Sequence, residues 1–260
     1  MDWTLYWFML PVASMVATTA MLSGIGGGAI FLPIYILVLP ILGPQYPLQT
    51  TSAAVITSLI TMSFSFASGV TAYAREGLIN YNIGKEFLIL SIPMALVAGF
   101  LAPHLPDWIS ITLYSVTIII VAGFLIKTSK IILPARQSPV LKSVTLYGAF
   151  MTGVASIGIG ETTIVQLLSR DMDKNEAAAT SVFIVFLTVM AASIALIFSL
   201  FQSAEANVIP WNVICYTVPG VIIGAQIGVK LQPYIPKRKL ELSIAAIFLI
   251  LAPAMIASIA

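Results

Sequence analysis

Two glycine-rich interruptions of the hydrophobic sequence hold the residues best suited to chemistry. The first covers residues 24–28 (GIGGG), and its opening GIG recurs at residues 158–162 (GIGET), where Glu161 takes the place of a glycine. Glycines leave backbone N–H groups uncovered, and a helix that starts directly after them adds about half a positive charge at its N-terminus. The two breaks therefore predict a site for a small anion.

Glu161 is the only one of the 12 Lys+Arg and 10 Asp+Glu residues that falls inside a hydrophobic segment. A carboxyl within the membrane is costly and is by default a functional candidate. Burial favours its neutral form and a helix N-terminus favours its charged form, and the sequence leaves the balance open. An ionised Glu161 would cancel most of the positive field, so we expect an anion to bind together with a proton. The alternative is that Glu161 only caps its helix or pairs with Arg170.

Hydroxyl side chains follow both breaks, in the pairs 51–52 and 180–181. Hydroxyl donors suit an oxyanion, although at helix starts they also serve as caps. Glu161 is the candidate for proton coupling. The candidate substrate-binding residues are Gly26, Gly27, Gly28, Thr51, Ser52, Gly158, Gly160, Thr162, Thr180 and Ser181.

The composition places these residues in a bilayer. Of 260 residues, 59% are hydrophobic and 8% are charged, whereas a water-facing surface needs roughly a quarter of its residues charged. The net charge of +2 offers no basic surface for nucleic acid, so the partners expected are the lipid bilayer, a small anion and protons. Since the chain has one cysteine, Cys215, and one histidine, His104, we expect neither a disulfide framework nor a metal or other cofactor.

A membrane span needs about 20 apolar residues in a helix. Six segments are long enough, and two further pairs are short and broken by glycines, so that each pair is predicted to form a bent hairpin. The first run, from residue 3, is expected to be retained rather than cleaved as a signal peptide. The hairpins cover about 3–42 and 143–169, and the spans about 50–73, 87–103, 108–126, 177–202, 210–229 and 242–260.

The positions of the basic residues predict the topology, because cytoplasmic loops collect Lys and Arg. All 12 fall near 75–85, 127–142, 170–174 and 230–239, and none falls near 43–49, 104–107 or 203–209. With the basic junctions inside, both termini lie outside. We therefore predict an all-α polytopic membrane protein in one membrane domain, made of two inverted-topology repeats, residues 1–133 and 134–260. Each repeat is a glycine-broken helix hairpin followed by three transmembrane helices.

Inverted repeats with interrupted helices are typical of secondary transporters, whose site lies near the midplane where the breaks meet. Small residues at every fourth position, as at Gly220, Gly224 and Gly228, indicate close packing of helices in lipid. A membrane-embedded enzyme lacks the nucleophile or metal motifs it would need here. An anion channel would share the glycines and hydroxyls of the pore and stays open as an alternative, as does a carrier for a carboxylate.

The GxGGG break followed by Pro33, the downstream Thr-Ser pair, the internal duplication and the small-residue helices resemble the TauE/SafE sulfite exporter family, also called the toluene sulfonate uptake permeases. The resemblance covers nearly the whole chain. It implies a transporter of sulfite, thiosulfate or organosulfonates such as sulfoacetate in a prokaryotic cytoplasmic membrane, and it implies an anion site at the glycines and Thr-Ser pairs named above. The sequence departs from the pattern at Glu161 and Thr162. The direction of transport and the oligomeric state are open.

Overall fold

The structure is a computed structural model that describes residues 3–43, 46, 50–127, 139–170, 172–203, 209–235 and 237–258. Over these residues it is all-helical, as predicted, because in lipid each backbone N–H and C=O must be paired within its own segment. We number the helices α1 Met9–Ser23, α2 Gly28–Leu42, α3 Thr51–Arg75, α4 Tyr81–Leu101, α5 Asp107–Lys127, α6 Pro139–Ala155, α7 Ile159–Leu168, α8 Lys174–Gln202, α9 Trp211–Leu231 and α10 Lys237–Ala257.

Three long helices begin at side-chain caps that the sequence supplies. The Ala53 N–H donates to Thr50 Oγ1 over 3.1 Å at the start of α3, and the Ile83 N–H donates to Asn80 Oδ1 over 3.2 Å at the start of α4. Asp173 accepts from a backbone N–H at the start of α8. Each cap pairs a backbone N–H that has no partner within the helix.

Five helices within the described residues are long and apolar enough to cross a membrane, namely α3, α4, α5, α8 and α9. The sequence predicts a sixth span at 242–260. The corresponding helix α10 is apolar only over Leu242–Ala257, because its first five residues are KRKLE. The protein is therefore a polytopic membrane protein, and residues 259–260 of the sixth predicted span lie outside the described residues.

Both glycine-broken pairs fold back on themselves as hairpins. The ring of Tyr46, beyond the end of α2, lies 5.5 Å from that of Tyr6, which precedes α1. In the second pair, Gln166 Nε2 near the end of α7 donates to Thr145 Oγ1 near the start of α6 over 3.2 Å. Each chain segment thus returns to the end from which it started, and its glycine break forms the tip.

The first hairpin packs against the second half of the chain. Helix α1 runs parallel to α9, and the GxxxG steps of α9 lie directly on the backbone of α1. The residues that face each other are Gly220 with Leu10, Gly224 with Ser14, and Gly228 with Thr18. In addition, Thr18 Oγ1 donates to the Gly224 carbonyl over 3.0 Å. The close helix packing predicted from the small residues is therefore present.

Helix α3 runs antiparallel to α8, the helix in the corresponding place of the second half. Ser63 and Ser193 hydroxyls lie 3.3 Å apart near the middle of both helices. Gly69, farther along α3, faces Val182, which lies closer to the start of α8. Since the two helices follow hairpins in the same chain order, equivalent helices of the two halves run in opposite directions.

The contacts between helices show the same correspondence between the two halves of the chain. Helix α1 packs on α9 as α6 packs on α4, and α3 packs on α9 as α8 packs on α4, while α3 pairs with α8 and α5 pairs with α10. Exchanging the two halves leaves this set of neighbours unchanged. The boundary at residues 133 and 134 lies outside the described residues, and the division into inverted repeats stays a prediction.

Candidate functional site

The tips of the two hairpins meet inside the protein. A Cβ added at Gly160 would lie 2.8 Å from the Gly26 backbone nitrogen, and one added at Gly28 would overlap the Ser156 carbonyl oxygen. No larger residue fits at these two positions without moving one tip. The breaks are thus glycine-rich because the backbones of the two hairpins touch there.

Three residues at the tips have left-handed backbone conformations. Gly24 (φ 68°) ends α1, with its N–H donating to the Ala20 carbonyl over 3.0 Å, and Gly158 (φ 128°) precedes α7. Ser156 (φ 57°) is the one non-glycine residue with a positive φ in the described part of the chain. A non-glycine residue rarely adopts this region. Its hydroxyl lies 2.8 Å from that of Ser58 on α3, which anchors the strained tip.

Glu161 lies where the tips meet, with its side chain buried. Its Oε2 accepts a hydrogen bond from the Gly158 N–H over 2.9 Å. Its Oε1 faces the other hairpin, since a Cβ added at Gly26 would lie 3.2 Å from it. Oε1 has no hydrogen-bond partner among the residues described. One carboxylate oxygen therefore caps α7, and the other is buried at the opposite tip, where it neighbours the Gly26 backbone but no described group meets hydrogen-bond geometry with it.

Of the two structural roles that the sequence offers for Glu161, capping its helix and pairing with Arg170, the structure shows one. The capping bond of Glu161 is present, but it uses only one oxygen. The proposed pairing with Arg170 is absent in the described structure, where Arg170 NH1 lies 3.0 Å from Glu86 Oε2 instead. A buried carboxyl oxygen without a partner is costly in a hydrophobic interior. Such a group is stabilised by a proton or by a change in its surroundings, which makes it a candidate for coupling.

The space between the tips is small. A cavity of about 10 Å³ is lined by residues of both hairpins, α3 and α8, including Gly26, Gly160, Glu161, Met62 and Val185. This volume is about what one water molecule requires, and it is smaller than any sulfur oxyanion. The protein is therefore in a closed conformation, with no room for such an anion at the predicted site.

A larger cavity of about 280 Å³ reaches Glu161 from the side, between α5, α6 and α7. Its walls are mostly apolar, with Ile120 and Phe124 of α5 facing Thr162 and Gly158 of the hairpin. Thr162 Oγ1 donates to the carbonyl of Gly158 over 2.9 Å, within its own turn. Thr162 thus lines a route to the tips, although its hydroxyl is used within α7.

Ser181 lies between the two hairpins. Its hydroxyl lies 2.9 Å from that of Thr163 and 3.4 Å from the Gly24 carbonyl oxygen, which it faces as a donor. Thr180, by contrast, accepts the Asn80 N–H over 3.0 Å at the start of α4. Ser181 therefore lies at the tips and Thr180 points away from them.

Thr51 and Ser52 lie at the start of α3 and are not among the described residues that line the cavity between the tips. Met62, which does line it, comes three helical turns later. At 1.5 Å of rise per residue, Thr51 is roughly 16 Å away along the helix axis. A role for this pair in binding stays a prediction and requires that the substrate pass the start of α3.

The structure places further hydroxyls at the tips that the sequence motifs do not single out. Besides Ser58 and Ser156, the Thr152 hydroxyl accepts the Ile159 N–H over 3.1 Å. The spacing of residues could have indicated Ser58, because α3 carries hydroxyl side chains at helical spacing on one buried face. These residues are Thr57, Ser58, Thr61 and Ser65. As for metals, no group of three His, Cys, Asp or Glu side chains is found over the described ranges.

Two glycine-broken hairpins that meet tip to tip within a bundle of spanning helices form an arrangement typical of secondary membrane transporters. The sequence profile of the family "Sulfite exporter TauE/SafE" matches residues 9–255, and the chain belongs to this family.

The chain is similar to two proteins of Bacillus subtilis (strain 168). It is 29% identical over 249 residues to "Probable membrane transporter protein YjnA", covering 88% of this chain and 91% of that protein. It is 24% identical over 243 residues to "Probable membrane transporter protein YunE", covering 85% and 86%. No solved structure matches the chain. The names of the family and of these relatives point to a transporter rather than an enzyme.

Proposed function

We propose that the protein is a secondary transporter of small sulfur-containing anions: sulfite, thiosulfate, or an organosulfonate such as sulfoacetate. The substrate binds between the two hairpin tips, near the middle of the membrane. The observation that carries this proposal is the position of Glu161, whose second carboxylate oxygen is buried without a described partner and faces Gly26. The family match supports the choice of sulfur anions.

The carboxylate of Glu161 occupies the place that a bound oxyanion would take. It accepts the Gly158 N–H at the start of α7 and faces the tip that precedes α2. Two negative groups at one buried place repel each other strongly. The anion therefore binds when Glu161 is protonated or has turned away, and the proton travels with the anion. The backbone N–H groups of Gly26 to Gly28, Gly158 and Gly160, with the hydroxyl of Ser181, are the donors proposed for the substrate.

For the substrate to reach this site from either side of the membrane, the hairpins must move relative to the spanning helices. We propose that the halves are inverted repeats, which is supported by the opposite directions of α3 and α8 and by the matching sets of helix neighbours. Inverted repeats let one sequence pattern build an outward-open and an inward-open state around one site. The closed cavity of about 10 Å³ fits an occluded state between them.

The proposed location is the cytoplasmic membrane of a prokaryote, with the basic junctions inside and both termini outside. A membrane potential that is negative inside drives a monovalent anion outward by about 2.3 kcal/mol per 100 mV. Export therefore needs no coupling, whereas accumulation requires a cation that moves with the anion. A proton carried by Glu161 supplies that cation.

A thermal-shift screen of the purified protein tests the substrate class. Sulfite, thiosulfate, sulfoacetate and taurine are compared with sulfate and with acetate and malonate as carboxylate controls. A ligand that binds only the native state raises the melting temperature, so we expect shifts from the sulfur anions and none from the carboxylates. Shifts from carboxylates alone would overturn the sulfur assignment. In proteoliposomes, flux that does not saturate with thiosulfate concentration would show a channel rather than a carrier.

A further inference from the structure

A polar pocket, separate from the two cavities described above, lies at the end of the second hairpin that carries Lys142 and Arg170. It has a volume of about 410 Å³ and lies between α4, α6 and α7. The polar residues on its wall are Lys142, Thr145, Gln166, Arg170 and Glu86. The pocket is more than large enough for a small oxyanion, in contrast to the space between the tips.

The charges on this wall are arranged around Arg170. Its NH1 lies 3.0 Å from Glu86 Oε2, and its guanidinium carbon lies 5.0 Å from the centre of the Phe87 ring. Lys142 on α6 adds a second positive charge to the same pocket. Two cations and one carboxylate give the described wall an excess of one positive charge. A concave pocket with this excess concentrates anions from the adjoining solution.

The pocket adjoins the cavity that reaches the proposed substrate site. Leu141 and Gln166 line both this pocket and the 280 Å³ cavity that reaches Glu161. Gln166 and Thr145 are buried and hydrogen-bonded to each other between the two spaces. Both side chains offer donors that an oxyanion can use when their mutual bond opens.

We propose that this pocket is the cytoplasmic access site of the transporter, where Lys142 and Arg170 bind the oxyanion before it passes Thr145 and Gln166 toward the hairpin tips. The inference rests on the proposed function and adds a second site to it. Glu86 has a defined part in this site: it holds Arg170 in place and lowers the positive potential, so that the anion is bound weakly enough to move on.

The test uses radiolabelled thiosulfate and membrane vesicles of both orientations. Lys142→Gln removes a positive charge from the pocket and is expected to raise the KM by about three- to tenfold, the effect of one nearby charge in a partly hydrated site. Glu86→Gln removes the negative charge and is expected to lower the KM. Both changes are expected in inside-out vesicles, where the pocket faces the medium, with right-side-out vesicles unchanged. Lys85→Gln is the matched control, because Lys85 is exposed beside Glu86 and does not line the pocket.

The outcomes separate this inference from the proposed function. If the wild-type protein moves no thiosulfate in either orientation, the proposed function fails and the access site with it. If the wild type transports thiosulfate and both variants keep its KM, the access site is wrong and the function stands. The opposite signs expected for Lys142→Gln and Glu86→Gln distinguish an electrostatic effect from damage to the fold, which would impair both.

Anionic lipid headgroups carry the same oxyanion chemistry as the substrate, so the lipid is varied as well. The KM is measured with purified protein in vesicles of phosphatidylcholine alone and in vesicles that also contain phosphatidylglycerol. The access site predicts that Lys142→Gln raises the KM in both lipids. An effect that disappears in phosphatidylcholine alone would show that Lys142 binds lipid phosphate, which overturns the proposal.

Discussion

Glu161 and Gly26 face each other across the contact between the two hairpins, although they lie in different halves of the chain. A Cβ at Gly26 would be 3.2 Å from Glu161 Oε1, so the glycine leaves room for the carboxylate and nothing more. The first hairpin thereby presents bare backbone to Glu161, the only acidic or basic side chain buried at the tips in the described structure. In the proposed mechanism, the protonation of this carboxyl decides whether an anion can bind between the tips.

Glu161→Gln is expected to abolish thiosulfate accumulation driven by a pH gradient while preserving thiosulfate exchange. The amide resembles the protonated carboxyl, so the anion still binds, but no proton is carried. In the wild type, lowering the pH strengthens anion binding because it populates protonated Glu161; in the variant, binding is independent of pH. Uptake into proteoliposomes with imposed pH gradients measures both effects.

Glu176→Gln is the control for this prediction, because Glu176 is a carboxylate at the start of α8 that accepts from Asn80, away from the tips. Its pH-driven uptake is expected to remain within about twofold of wild type, a change of about 0.4 kcal/mol. Full pH-driven accumulation by Glu161→Gln would refute the coupling mechanism.

Gly28→Ala is expected to destabilise the protein by about 2 kcal/mol or more, since the added Cβ overlaps the Ser156 carbonyl and forces the tips apart. Gly123→Ala in α5 is the matched change, because a Cβ there meets no atom of the described structure within 4 Å, and alanine favours a helix. Thermal unfolding in detergent compares the two. Equal melting temperatures for both variants would contradict the contact between the tips.

The Ser58 and Ser156 hydroxyls are expected to stabilise each other by about 0.6 kcal/mol and at most about 1.7 kcal/mol, the range found for hydrogen bonds between membrane helices. The free energies of unfolding of Ser58→Ala, Ser156→Ala and the double variant form a double-mutant cycle. Additive effects of the two substitutions would mean that the 2.8 Å contact contributes nothing. Ser68→Ala with Ser156→Ala is a distant pair in which additivity is expected.

Gly224→Val is expected to prevent α1 from packing on α9, because its side chain would overlap the Ser14 carbonyl. Ile223→Val, one residue earlier, serves as the control since Ile223 is exposed on the outer surface of the bundle. The yield of monodisperse protein in detergent and the melting temperature are the measurements. A normal yield for Gly224→Val would show that these helices are not closely packed.

The sequence predicted the hairpins, the approximate spans and the buried position of Glu161, because each depends on local composition. Glycines mark the breaks, apolar runs mark the spans, and a single carboxyl among apolar residues is conspicuous. The packing along Gly220, Gly224 and Gly228 was also predictable, since small residues at every fourth position of a membrane helix favour close packing against another helix.

Contacts between distant segments were not predictable from one sequence. Nothing local to Ser58 or Ser156 says that their hydroxyls meet, because this depends on the rotation of α3 about its axis. The same holds for Arg170, whose partner Glu86 lies 84 residues away. The Thr-Ser pair at residues 51–52 shows the converse: the motif is conspicuous, but the helix rise places it away from the contact between the tips, and its role in binding stays a prediction.

The packing of α1 on α9 also bears on how the protein is made. Thr18 and its acceptor Gly224 are separated by 206 residues, and at roughly 5–20 residues per second a ribosome needs about 10–40 s to cover that distance. During this interval the first hairpin has been synthesised but its closest neighbour has not. Nascent chains therefore hold an unpaired, glycine-tipped hairpin in the membrane until translation is nearly complete, and an insertase or chaperone that shields it would act in that window.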